Sequence, residues 1–479
     1  MMDEQNNFLQ TSVAGRGPRD PVRVQTWLIA KKEIVANVSN YKIPVVSAIM
    51  LLMLVASAHL LTRDYRLRLD NWAINQASQR DSVVGGIVKY ELSDGGFTYS
   101  AGIGHGPPIQ QPRSLSALVN GVDLEVDRAV SVSQRIVFGT RQDDLGTKSL
   151  FDIPDTSFVI KLMVSLFALM FSLDIVTREK ESGTLKAMLG QPIGRRGLIL
   201  YKSLGAWISL IVSFAIAYFG EIFYLYFSQG LLRDWRDLAR ALLIFGLGAL
   251  YGTVFLHLGI FISTITAQTK IAVATALLAW AAIVLVLPNV AALTAKLFSP
   301  TLSYNQFNAR LFEARQQLLR ADPQLNPERF PLSELPASKP AMFRIFDLER
   351  QLTDSYLASK EAQLRRAQLF AALSPASALA FGSSDLAGTG VSAYRSYLEF
   401  FRSERDTIVD ALKRRLDLPF QEGTRLVQGA REAVAGGRRP AVSLGSSLRA
   451  AAISIISLLA WAVVFGWMAY WRFERYDVR

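Results

Sequence analysis

Cysteine is absent from this chain of 479 residues, which excludes a disulfide framework, a thiolate metal site and a cysteine nucleophile. Histidine is almost absent: His59, His105 and His257 are far apart, and no HExxH pair occurs. A GxSxG elbow is missing too, so an integral-membrane hydrolase would lack its clustered catalytic groups. The chain also has no Walker-type phosphate loop. Gly146-Thr147-Lys148-Ser149 imitates the end of one but lacks the glycine-lysine pair and the correctly spaced upstream glycine. These absences point to a chain that is not an enzyme, binds no cofactor or metal, and leaves any ATP hydrolysis to another polypeptide. A compact basic patch with interleaved aromatics is lacking as well, so the net charge of +12 favours contact with a membrane surface over nucleic acid.

Apolar residues, in contrast, make up 51% of the chain, and mean hydropathy is +0.23, yet 19% of residues are charged. Apolar spans must therefore alternate with polar blocks. Runs long enough to cross hydrocarbon fall at 43–62, 157–177, 204–228, 239–263, 271–292 and 450–471. Met1 to Asp20 is a polar tail without the apolar core of a secretory leader. Val22 to Val38 mixes Trp27, Leu28, Ile34 and Val35 with Lys31, Lys32 and Glu33, as a basic amphipathic helix lying along the membrane would, so 1–42 reads as tail plus interfacial helix. Lys31, Lys32 and Lys42 before the first run, and Arg472, Arg475 and Arg479 after the last, place both termini in the cytoplasm.

Two polar blocks then lie outside. In 63–156 the spacing predicts a helix from Asp64 to Arg80, followed by short strands at Val83-Val84, Ile87 to Leu92, Phe97-Thr98-Tyr99, Leu124 to Val126 and Val130 to Phe138, with paired glycines between them. In 296–447 apolar residues recur at helical spacing over Tyr304–Leu319, Met342–Leu373 and Tyr394–Leu418, with Pro323, Pro327, Pro331 and Pro336 as a break. Arg315, Glu349, Arg350, Glu361, Arg365 and Arg366 read as solvated helix faces, and Tyr394 to Phe401 as helix packing rather than a binding surface. The predicted fold class is a membrane α-helical protein with six transmembrane helices, an α+β extracytoplasmic domain after helix 1 and a helical extracytoplasmic domain after helix 5.

Ionisable groups inside the runs are few. Lys161 and Asp174 sit near the ends of the second run, where they can snorkel. Glu221, two turns from the outer end of the third, must face a partner, a cavity or the interface, and a structural and a transport role both fit. His257 in the fourth fits a hydrogen bond to a neighbouring helix better than a metal site. Pro288 and Asn289 mark a kink or an end in the fifth.

The connection 178–203 is short and basic. Arg178, Lys180, Lys186, Arg195, Arg196 and Lys202 lie within about 20 residues of a span end, where such residues bias a loop to the cytoplasm. Glu179 and Glu181 suit the positive end of a helix dipole, Thr184, Leu185, Met188 and Leu189 offer an apolar edge, and Gly190, Pro192 and Gly194 end the element. By these residues it is either a short docking helix read by a partner or an ordinary turn with solvated charges.

The run Arg178-Glu179-Lys180-Glu181-Ser182-Gly183-Thr184-Leu185, followed by Leu189, Pro192-Ile193, Arg195 and Lys202, resembles the cytoplasmic loop of ABC-2 type permeases, the membrane subunits of one class of ABC transporters. Leu373-Ser374-Pro375-Ala376 and Asp385-Leu386-Ala387-Gly388-Thr389-Gly390 resemble a pattern of the large-loop subfamily, which includes relatives of permeases of nitrous oxide reductase maturation and of gliding motility. In that family the E-x-G-T loop is a coupling helix seated on the ATPase. The resemblance therefore implies that Arg178, Glu179, Glu181, Gly183, Thr184 and Leu185 contact an ABC ATPase subunit, which carries the ATP and Mg. It also implies pairing with a second copy of the chain or a paralogous permease, a place in the bacterial inner membrane, and export or mechanotransmission, with the outer domains offered to a periplasmic or extracellular protein. A membrane-anchored scaffold or sensor with two outer domains and no transport activity is the other reading, and it needs no E-x-G-T loop.

Overall fold

A computed structural model describes residues 21–91, 112–121, 130–132, 136–138, 154–189, 194–298, 300–321, 335–415, 425, 429 and 442–475. The expected tail 1–20, the strands at 97–99 and 124–126, the 146–149 sequence and the breakers Gly190 and Pro192 lie outside these residues. The fold is that of an all-helical membrane protein with six helices long and apolar enough to span a bilayer.

Helix α1 (Pro21–Ser39) lies against the first half of α5, introduced below, and Tyr41, at φ 55°, turns the chain into α2 (Lys42–Glu91). With 50 residues, α2 is about 75 Å long, against a hydrocarbon core of about 30 Å. The expected strands at Val83-Val84 and 87–91 are the last turns of this helix. Val84, Ile87, Val88 and Glu91 also follow a helical spacing, and extending a helix already nucleated in the membrane needs no new nucleus. Val130–Val132 (β1) and Ile136–Phe138 (β2) do pair antiparallel, Val130 opposite Phe138 and Val132 opposite Ile136. These two short strands are all that the described residues hold, and they do not support an α+β domain.

The second span is α3 (Thr156–Glu181), started by Asp155, whose carboxylate accepts from the Phe158 amide at 2.8 Å. A short helix α4 (Thr184–Leu189) leads to α5 (Arg195–Ser228), then α6 (Trp235–Ile265), α7 (269–298) and, at the end of the chain, α12 (Leu444–Glu474). The bundle core runs through all six spans, and close approach depends on small residues. At Gly205 of α5 an added Cβ would lie 2.9 Å from the Ala30 carbonyl oxygen, so α1 and α5 touch backbone to backbone there, with the Asn37 amide donating to Ser209 Oγ at 3.0 Å beside it.

A π-helical turn, Tyr224–Ser228, ends α5, and two more interrupt spans, at Ile160–Val164 and Ala282–Val286. The last explains why Pro288 does not end α7. In the wider register the carbonyl left without a donor by proline is that of Ile283, and the Ser374 hydroxyl donates to it at 3.3 Å.

Ser374 is the N-cap of α10 (Pro375–Ala387), with Pro375 in the first turn and Gly388, at φ 74°, as the left-handed cap. The sequence places this helix within the outer block 296–447, but it packs in the bundle core against α6 and α12. Its start lies deep: the Ala372 carbonyl accepts from the Ser457 hydroxyl and the Leu373 carbonyl from the Trp461 indole. Its end returns to the bundle end, where Arg113 donates to the Gly388 carbonyl at 2.5 Å. Residues 112–121, with Leu115, Leu118 and Val119 buried, close that end over α10. The Thr389 hydroxyl donates to the Val119 carbonyl at 3.0 Å, and the Thr156 amide to that of Leu118 at 3.1 Å.

A second core joins α8 (Tyr304–Ala321), α9 (Leu335–Ala371) and α11 (Val391–Arg415) through Phe307, Leu311, Tyr356, Leu357, Tyr397, Leu398 and Phe401. Tyr397 to Phe401 therefore pack, as the spacing predicts. Four of the charges expected to be solvated are instead paired between helices: Arg350 with Asp406 at 3.0 Å, Glu361 with Arg402 at 3.1 Å, and Glu349, 2% exposed, with Arg315 at 3.9 Å. Arg405, 1% exposed, is held by Asp354 at 2.8 Å and Asp406 at 3.0 Å. Burial works against its charge, but the two carboxylates outweigh it and raise its pKa. Long helices with narrow apolar stripes bring their polar edges together when they pack three to a core, which a single-helix pattern cannot reveal.

Gly205→Val should force α1 off α5, an overpacking cost of about 1–3 kcal/mol. Limited proteolysis of the purified protein should then cut within 21–39 well before the bundle is attacked, where the native chain is resistant.

Candidate functional site

The 178–185 segment lies at the end of the bundle opposite residues 112–121, and its geometry follows from where α3 stops. The helix runs on through Glu181, so Glu179 and Glu181 stand at its C-terminal, negative end and not at the start of a docking helix. A carboxylate there needs a cation or another donor, and each finds one on a different span.

Asp174 pairs with Lys42 of α2 at 2.8 Å. Glu179 pairs with the buried Lys202 of α5 at 2.8 Å through Oε1 and accepts the Thr184 hydroxyl through Oε2; Lys202 also donates to the Ile175 carbonyl at 3.2 Å. The Lys180 ammonium donates to the carbonyls of Ser263, Thr264 and Thr266 at 3.2, 2.7 and 2.8 Å, and so caps the C-terminal end of α6. Glu181 accepts from the Thr269 amide at 2.7 Å and the Thr269 hydroxyl at 2.8 Å, which caps the N-terminal end of α7. Four charged side chains on the last two turns of α3 thus hold α2, α5, α6 and α7. The Ser263 hydroxyl adds a tie from α6, accepting from the Val176 and Thr177 amides at 3.1 and 3.0 Å and donating to the Leu173 carbonyl at 2.7 Å. Arg196 of α5 reaches Glu474 of α12 at 2.7 Å and brings in the sixth span.

Gly183 makes the reversal between α3 and α4. At φ 71° it occupies the left-handed region, with nothing within 4 Å of an added Cβ, so glycine is required there by the backbone and not by space. After the turn, Leu185 is buried and Met188 packs on the bundle core. Leu185 and Met188 of the expected apolar edge thus pack inward, while Thr184 is exposed. Exposed at this end are Arg178, Glu181, Ser182, Gly183 and Thr184.

Of the residues singled out from the sequence, Arg178, Glu179, Glu181, Gly183, Thr184 and Leu185 are thus together, while Glu221 and His257 are elsewhere. Glu221 of α5 is fully buried at the far end, where its Oε1 accepts the Thr156 hydroxyl at 2.6 Å; among the described residues its Oε2 has no hydrogen-bond partner. Asp155, next to Thr156, has its pKa raised by burial, against the lowering effect of the Phe158 and Asn120 amides. His257 of α6 contacts the Ala462 carbonyl of α12 through Nδ1 at 3.0 Å, a helix-to-helix contact, and no group of three metal-ligating side chains occurs among the described residues. Sequence reasoning missed Ser263 and Thr269. The turn 264–270 was legible as a connection, but nothing in its spacing relates it to Lys180 and Glu181 more than 80 positions away.

A model of the family described as ABC-2 family transporter protein matches residues 27–478, which takes in every element above from the second turn of α1 onward. None of the curated proteins compared with the chain matches it.

Lys180→Met should keep the length of the side chain and lose its three charged hydrogen bonds, each of a kind worth about 1.5–3 kcal/mol. The thermal midpoint of the purified protein should fall, and hydrogen exchange should rise at 263–266 while residues 112–121 stay protected.

Proposed function

The chain belongs to the ABC-2 family of transporter proteins, a permease subunit of the kind that pairs with ABC ATPase subunits, and from that premise we propose that residues 178–185 are its ATPase contact. The supporting observation is that three successive side chains each hold a different span: Glu179 holds α5, Lys180 holds α6 and Glu181 holds α7. A displacement delivered to α4 by closing ATPases reaches α3 through the Gly183 turn and is shared with the other spans at once. In this reading the exposed Arg178, Ser182 and Thr184 meet the ATPase, while the carboxylates and Lys180 transmit.

The basic residues of this end, among them Lys42, Arg178, Lys180, Arg195, Arg196 and Arg472, favour its placement in the cytoplasm, with both termini inside and residues 112–121 and the α8–α9–α11 core outside. Two copies, or one copy and a paralogue, with two ATPases would complete the transporter. Export and mechanotransmission to the outer helices both use the same hub. Glu221 takes the part of a latch between α5 and the closed outer end, since Thr156 donates both to its carboxylate and, through the amide, to Leu118.

Arg178→Glu tests the contact without touching the hub, because this side chain is exposed. Purified in mild detergent from its own membranes, the native chain should bring down a P-loop ATPase, and the variant, with unchanged thermal unfolding, should lose most of it. Equal recovery of the ATPase by both would remove residues 178–185 from the interface. Recovery by neither would favour the scaffold or sensor reading.

A further inference from the structure

The outer core carries a groove that the transporter reading does not use. Its volume is about 580 Å³, within the range of small-molecule sites, and it is half open. Its floor is Phe307, Leu311, Leu352 and Tyr356, with the rings of Phe307 and Tyr356 stacked at 4.3 Å. On its rim stand the exposed Arg310 and Ser355, and Lys360 lies 5.7 Å from the Tyr356 ring. Partial burial lowers the Lys360 pKa, as for an ammonium beside apolar surface.

What leads to the groove identifies its occupant. Helix α7 is the most exposed of the six spans, and Ile271, Leu278, Leu285, Leu293 and Leu297 recur along one stripe of it, with Leu278 75% and Leu297 72% exposed. A hydrocarbon core of about 30 Å takes about 20 residues of α7, roughly to position 290, and the stripe does not stop there. It continues to Phe298, whose ring stacks on Phe370 and whose carbonyl accepts from Arg366 at 3.1 Å, and the next residues, beginning at Pro300, form the groove wall. The eight further residues of α7 to Phe298 add about 12 Å of helix, so an apolar track leaves the bilayer and reaches a groove with Arg310 on its rim and Lys360 beside its Tyr356 wall.

We propose that this groove binds an anionic glycerophospholipid, with an acyl chain over Phe307, Leu311 and Tyr356 and the phosphate between Arg310 and Lys360. Apolar floor, basic rim and continuity with the lipid-facing stripe match the two halves of such a molecule. The proposal requires only that the chain sits in a bilayer. Its failure would leave the ATPase contact untouched, and the reverse also holds.

The test uses the full chain in phosphatidylcholine nanodiscs doped with phosphatidylglycerol bearing a diazirine near the acyl terminus, or with phosphatidylcholine bearing the same group. Mass spectrometry of the irradiated protein should find label in 300–311 and 352–360 with the anionic probe. Ser355→Trp, which fills the groove from its exposed wall, should abolish that label while leaving label on α7. Arg310→Glu, at a fully accessible side chain, should lower the anionic-to-zwitterionic labelling ratio by about fivefold, the loss expected for one exposed charge pair. Label confined to the spans, or label in the groove indifferent to Ser355→Trp and to Arg310→Glu, would each overturn the proposal.

Discussion

Backbone and charged groups at a membrane boundary must be paired within the protein or reach water, and in this molecule the last two turns of α3 resolve that requirement for most of the bundle. Asp174, Glu179, Lys180 and Glu181 do not disperse into solvent. They satisfy Lys42, Lys202, the open carbonyls of α6 and the open amides of α7. Because a helix end leaves four unsatisfied groups, a side chain from a neighbouring span that caps it also fixes the position of the neighbour. One helix end is thereby a junction, and α2, α5, α6 and α7 take their depth at this side of the bundle from it.

The opposite end is closed by different means. Residues 112–121 bury Leu115 and Leu118 over the bundle, and the Thr156 hydroxyl and amide, Glu221 and the Arg113 guanidinium tie that cap to α3, α5 and the end of α10. Between the two ends, α10 enters to about the level of Ile283 and Trp461 and leaves again. This irregular backbone is tolerated at such depth because it is enclosed by α6, α7 and α12, which supply donors for its carbonyls and an acceptor for Ser374. The two ends differ in what they can transmit. The α3 junction is a network of charges on helix termini, whereas the cap sets buried apolar side chains within hydrogen bonds from Arg113 to Gly388, Ser114 to Asp237, Thr389 to Val119 and the Asn120 amide to Asp155.

Several features were legible in the residues. Six runs of apolar sequence correspond to six helices long and apolar enough to span a bilayer, whereas the helix between Ser374 and Gly388 and the turn at Gly183 were not legible as such. Where local pattern was ambiguous it misled. The segment 83–91 fits two periods and the strand period was the wrong choice, because continuation of α2 is a property of the helix before it. Glu179 and Glu181 looked like the beginning of an element because their types suit a positive helix end. That end exists, but it belongs to α7.

By itself the sequence determined how many runs can cross a bilayer, that α8, α9 and α11 are helices, and that the chain brings no cysteine or clustered histidine chemistry of its own, since these depend on composition and on periods within a single element. Tertiary structure alone decided which span each charge of the 174–202 region would hold, that α10 would enter the bundle instead of joining the α8–α9–α11 core, and that Glu349, Arg350 and Glu361 would pair between helices. Those outcomes depend on contacts between residues tens to hundreds of positions apart, where the cost of leaving a buried polar group unpaired selects one arrangement, and no local pattern records which distant partner will be present to meet it.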